Sequence, residues 1–98
     1  MPRPSHGSQQ TLTLLEALAA VPGRWRHGVS LTRETGLKPG TLYPMLIRLD
    51  RDGYLESRWE EPERPGRPPR HAYRLTAAGR SLAAERLATR SIAAEQLA

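Results

Sequence analysis

The sequence predicts a mainly α fold with one small β-hairpin, and three observations carry that prediction. Between Pro39 and Gly53, Leu42, Met45, Leu46 and Leu49 recur at i, i+3, i+4 and i+7, the apolar stripe of an amphipathic helix. Beyond Gly53 the period drops to two across residues 54–59 and again across residues 71–75, the mark of paired strands. From Ala77 onward alanine recurs at high density, which favours a closing helix that can approach another closely.

Composition bounds the rest. A chain of 98 residues forms one domain. Hydrophobic residues make up 38% with no Phe, so the core rests on Leu and Ala. Burial stabilises a monomer of this size only modestly, and a dimer core shared between two copies would add to it. The absence of cysteine excludes disulfides and thiolate metal sites. No apolar run approaches the roughly 20 residues of a membrane span, and residues 1–10 lack the apolar segment of a secretory signal. The expected compartment is the cytoplasm, with no membrane partner. A net charge of +5 arises from 15 Lys+Arg against 10 Asp+Glu. Nearly all of it is arginine, whose fork suits phosphate and guanine, so an anionic partner is favoured.

Taken in order, residues 1–9 read as a polar arm carrying Pro2, Arg3, Pro4 and Gly7. A helix follows from Gln10 or Thr11 to Val21, with Leu14, Leu15 and Leu18 on one side and Leu12 widening the apolar arc, until Pro22-Gly23 stops it. Trp25, in the short connection after it, is expected as a lid on a small core. The histidines His6, His27 and His71 lie far apart without a paired-carboxylate context, so neither a metal nor a cofactor is expected. A short helix spans residues 29–35, with Val29, Leu31 and Thr32 as inward candidates and Gly36 as its stop. The tight link Gly36-Leu37-Lys38-Pro39 then leads into the striped helix, which is the outline of a helix-turn-helix.

In that motif the second helix enters the major groove by its N-terminal end. Lys38, the Gly40 backbone, Thr41, Tyr43 and Pro44 stand there, followed by Arg48 and Arg51 on the face opposite the stripe. Pro44 removes one helical hydrogen bond and crowds the carbonyl of Gly40, which predicts a bent or loosened helix start. Between the two strands, four prolines and a glycine in residues 60–70 make a hairpin with a long, stiffened tip, and Arg64, Arg67 and Arg70 cluster at that tip and on the return side. A helix-turn-helix followed by such a hairpin is a winged helix, whose wing arginines would reach DNA backbone or minor groove. Thr76 suits the N-cap of the last helix, residues 77–98, in which Leu82, Leu87, Ile92 and Leu97 spiral at intervals of five. Apolar groups on several sides suit packing on the domain, residues 10–76, and on a second copy.

At this point the motifs resemble a known family, the PadR-like transcriptional regulators, bacterial winged-helix proteins. Gly40-Thr41-Leu42-Tyr43-Pro44, then Leu46, Arg48-Leu49-Asp50 and Gly53-Tyr54-Leu55, are similar to its G-T-L-Y-P, L-x-R-L-E and G-L-V. His27-Gly28, Trp59, Gly66-Arg67-Pro68 and Tyr73-Arg74-Leu75-Thr76 with Gly79 match in order, so the resemblance covers residues 12–87. It implies a homodimeric repressor that binds a pseudo-palindromic operator in double-stranded DNA near its own promoter. The last helix and the first would form the dimer, through Leu12, Leu15, Leu82, Leu87, Ile92 and Leu97. Lys38, Gly40, Thr41, Tyr43 and Pro44 would approach DNA, with Tyr43 on its backbone, while Arg48 and the wing arginines would add phosphate contacts.

Two departures stand out. Lys38 replaces the usual Ser or Thr, exchanging a helix cap for a cation, and the last helix is short with no aromatic residue. Some family members bind flat aromatic molecules at the dimer interface, but this chain offers no stacking pair there. A small aromatic effector is therefore not expected from the residues. The alternatives are a winged-helix module for protein interaction, for which Ile47 is the one large aliphatic group on the outer face, and an effector-responsive regulator. No nucleophile, base and orienting group come together, so an enzyme is not expected.

Overall fold

The computed structural model describes the backbone of residues 8–97 and the side chains of residues 8–92. Of the expected arm, residues 1–7 lie outside the described residues. The order is α1 (Gln9–Ala20), β1 (Arg26–His27), α2 (Gly28–Thr35), α3 (Pro39–Arg51), β2 (Leu55–Glu60), β3 (Arg70–Leu75) and α4 (Ala77–Leu97).

Helix α1 starts before the expected position because Ser8 caps it, its hydroxyl accepting the Thr11 N–H at 3.1 Å. Thr11 is buried, and its own hydroxyl donates to the Met45 sulfur at 3.5 Å, so this polar group inside the core is satisfied. Helix α2 ends as expected at Gly36, which takes a left-handed φ of 73° and returns its N–H to the Thr32 carbonyl. Val29, expected to face inward, is 59% exposed, and Leu31 alone anchors that helix in the core.

The hairpin pairs Leu55 with Leu75, Ser57 with Tyr73, and Trp59 with His71. Strand β3 begins at Arg70, opposite Glu60, which places Arg70 on the return side of the hairpin. A strand that alternation did not reveal, β1, pairs with the other edge of β3, giving the antiparallel order β1-β3-β2. Two residues are too few to show a period.

One apolar cluster joins all layers. Leu14, Leu15 and Leu18 from α1 meet Leu31, the α3 stripe Leu42, Met45, Leu46 and Leu49, the sheet residues Leu55, Tyr73 and Leu75, and Leu82 and Ala83 of α4. Two residues assigned to a dimer by the resemblance are thus consumed internally: Leu15 is fully buried and Leu82 nearly so, leaving no surface for a partner. Leu12 and Leu87 are half-buried and Ile92 is 56% exposed, while the Leu97 side chain lies outside those described.

The joints between α3, β2 and α4 meet at one place. Thr76 donates its N–H to the Tyr54 carbonyl at 3.1 Å and its hydroxyl to the Gly53 carbonyl at 2.6 Å. The same hydroxyl accepts the Gly79 N–H at 3.0 Å, the N-cap expected of it. Gly79 packs so tightly that an added Cβ would lie 2.9 Å from the Tyr54 carbonyl carbon and closer still to its oxygen. Both partners there are backbone and cannot rotate away. Gly79→Ala is therefore expected to destabilise the protein by about 2 kcal/mol or more, despite the better helix propensity of alanine, read as a lowered thermal midpoint.

Candidate nucleic-acid interface

Helix α3 divides cleanly into two faces. Its stripe of Leu42, Met45, Leu46 and Leu49 is almost wholly buried, whereas Lys38, Gly40, Tyr43, Pro44, Ile47, Arg48 and Arg51 are exposed and Thr41 is half-buried. Pro39 occupies the first turn, where its missing N–H costs nothing. Lys38 takes the N-cap position without a side-chain cap, as the exchange of a hydroxyl for a cation requires. The amides of Thr41 and Leu42 both turn to the Lys38 carbonyl, at 2.9 and 2.8 Å. Pro44 is carried inside a helix that runs unbroken from Pro39 to Arg51. Leu42 before Pro44 and Met45 and Leu46 after it are held in the core, which keeps the segment helical on both sides of the lost bond.

Tyr43 is set by a glycine. Its ring lies across the bare Cα of buried Gly28 at the start of α2, where a Cβ would stand 2.6 Å from Cζ and 2.7 Å from Cε1. The two helices of the helix-turn-helix thus touch through a side chain that the sequence offers as a groove contact and a residue with no side chain at all. Motif matching flagged His27-Gly28 without revealing this packing.

The wing carries Arg64 and Arg67 exposed at its tip and Arg70 exposed at the start of β3. A cavity of 350 Å³ lies among Pro62, Glu63, Arg64, Arg67, Pro68 and Arg70. Sequence reasoning missed most of what holds the wing to the body. His27 Nε2 of β1 meets Glu60 Oε1 of β2 at 2.7 Å, and Arg58 pairs with the other oxygen of the same carboxylate at 2.8 Å. These bonds, the histidine foremost, hold the Glu60 carboxyl below the usual carboxylate range.

Trp25 does not cover the helical core. Two guanidiniums lie over its ring, Arg58 at 4.1 Å and Arg74 at 4.4 Å from the centre, and Arg74 is itself paired with Glu56. Arg26 is buried between the Ala17 carbonyl, which it reaches at 3.0 Å, and Glu34. Burial, with a lesser contribution from Arg24, lowers its pKa.

Beside the outer face of α3, Tyr43, Ile47, Asp50, Arg51, His71 and Tyr73 line a mostly apolar groove of 440 Å³. Tyr73 is 5% exposed, and burial pushes its phenol up, with Tyr43 and Asp50 adding to the effect. It keeps its proton and shares a 3.0 Å hydrogen bond with His71 Nδ1. Among the described residues, no group of three acidic, histidine or cysteine side chains is placed to hold a metal, and no helix is long and apolar enough to cross a membrane.

Two short helices in tight succession, the second exposing a polar face beside a basic antiparallel hairpin, define a winged helix-turn-helix protein. The sequence pattern of the transcriptional regulator PadR-like family matches residues 18–85, more than half of the chain. Transcriptional regulator Rv3488 of Mycobacterium tuberculosis is 44% identical over 77 residues, spanning 72% of this chain and 69% of its own. A PadR-like transcription factor from Bacteroides fragilis has the same fold at a TM-score of 0.72 and 24% identity, over 91% of this chain and 89% of its own. The protein smu.1704 of Streptococcus mutans UA159 follows at 0.69 and 28%, over 94% and 85%. The chain belongs to the PadR-like family of transcriptional regulators, and these are not enzymes.

Two measurements test the positioning contacts. Gly28→Ala forces the Tyr43 ring out of its seat and is expected to cost about 1 kcal/mol, a cost that shrinks in a Tyr43→Ala background because the atoms nearest to the added methyl group all belong to that ring. The contribution of Glu60, whose folded pKa is depressed, is complete above the ordinary glutamate range and lost as pH falls through the lower folded value. Thermal midpoints of the parent and Glu60→Gln should accordingly differ near neutral pH and converge as the solution is acidified.

Proposed function

We propose that this regulator is a homodimeric repressor that binds a pseudo-palindromic operator in or near its own promoter. The observation that carries the reading is the division of α3, whose stripe is consumed by the core while its first turns and arginines stay exposed beside the wing. In this reading Lys38, Gly40, Thr41, Tyr43 and Pro44 enter the major groove, with Thr41 at base edges and Tyr43 on the backbone. Arg48, Arg51, Arg64, Arg67 and Arg70 engage phosphates on either side. Residues 10–76 act as the DNA-binding unit and α4 as the dimerisation helix, through Leu87 and Ile92 with Leu12 of α1 nearby. The Arg90–Glu16 pair at 2.7 Å ties α4 to α1 and supports a dimer surface built from both. Acting on DNA, such a regulator works in the cytoplasm.

A gel shift with DNA from upstream of its own gene, in excess competitor, tests the reading directly. Operator affinity is expected to fall steeply between low and moderate salt through counterion release, and a flat titration would count against DNA binding altogether. Arg67→Ala should weaken binding on all sequences and reduce the salt slope by about one, whereas Thr41→Ala should change the ranking among operators.

A further inference from the structure

Trp59 is the most exposed large apolar side chain among the described residues, at 69%, yet its ring is not left to move freely. It stacks on His71 with centroids 4.5 Å apart and planes 7° from parallel. The His71 ring is in turn tilted against Tyr73 at 4.7 Å and anchored to the buried phenol through Nδ1. The register explains the arrangement. Leu55–Leu75, Ser57–Tyr73 and Trp59–His71 are cross-strand pairs on one face of the hairpin, running outward from the core. Below Trp59, the His71 and Tyr73 rings form one wall of the groove whose other wall is Tyr43, Ile47 and Arg51 of α3. The one acid in that groove, Asp50, accepts the Ser57 hydroxyl at 2.9 Å and is thereby turned to the hairpin.

An exposed indole is costly to leave in water, and a preformed one is suited to pack on a flat partner. Its place selects which partner. The stack lies between the outer face of α3 and the arginines of the wing tip, on the face that looks toward α3. A duplex engaged by both must pass over it, and the cations on either side complement phosphates flanking the contact. We propose that Trp59, backed by His71, is an apolar contact of this protein to the sugar–phosphate backbone, its indole resting on a deoxyribose between phosphates held by α3 and by the wing. The contact is independent of base sequence and adds no charge. This inference rests on the DNA-binding reading above.

The test separates the two. Trp59→Ala is expected to weaken operator and non-specific duplex alike by about tenfold while leaving the salt slope unchanged, since no counterion is displaced by an indole. Trp59→Phe should recover part of the loss, and His71→Ala should reproduce part of it by removing the backing ring. In the parent protein, saturating duplex should shield the accessible tryptophan fluorescence from acrylamide, and Trp59→Phe should remove that protected component. Parental affinity in Trp59→Ala, with arginine variants still impaired, overturns this inference alone. A parent protein that binds no duplex overturns it together with the DNA-binding reading. A change in sedimentation of Trp59→Ala without DNA overturns it in favour of a surface between two copies.

Discussion

The backbone of Tyr54 passes so close to the first turn of α4 that the helix must present a bare Cα to it. Around that contact Thr76 ties its amide and hydroxyl to the carbonyls of Tyr54 and Gly53 and caps the new helix in the same stroke. Three elements are therefore referred to one another by backbone: the end of α3, the start of β2 and the start of α4. The angle between the exposed face of α3 and the wing follows from this joint, as does the direction in which α4 leaves the domain. Side-chain packing then fills the volume that the joint defines, with leucines of α1, α3 and the sheet at its centre.

The charge that composition reports as a single excess is divided by the fold. Arg26, Arg74 and Arg90 pair with Glu34, Glu56 and Glu16 and hold elements together, while Arg58 pairs with Glu60 within β2. Arg58 and Arg74 also pack on Trp25, so one tryptophan and two arginines gather on the sheet. Among the described residues, Arg48, Arg64, Arg67 and Arg70 take part in no such pair. They stand on α3 and the wing, the regions from which the proposed operator contacts come.

Much of the architecture could be read before any coordinates. The stripe of α3 lies at the centre of the core, the cap at Thr76 forms, and the left-handed turn at Gly36 closes α2. The alternation of the hairpin also translates into its register. The readings that failed share a cause. Val29 looks inward by local apolar character, but α2 has room in the core for Leu31 alone. Leu15 and Leu82 look available to a partner until the other layers close over them. Trp25 and Trp59 each have a role set by side chains distant in sequence, Arg58 and Arg74 for one and His71 for the other.

The sequence by itself determined the order of the four helices and the hairpin, the buried stripe, the stop at Gly36, the cap at Thr76, and the family to which the chain belongs. These depend on periodicity, on backbone-specific residues and on short motifs, all of which are local. Only the tertiary structure decided which glycines are indispensable, how the two-residue strand β1 joins the sheet, and which arginines are spent on glutamates. It also decided that the indole of Trp59 is fixed on His71 beside α3. The physical reason is the same throughout. A close approach, an ion pair or a stacked ring depends on distances between residues far apart in the chain, and those distances exist only once the layers have packed.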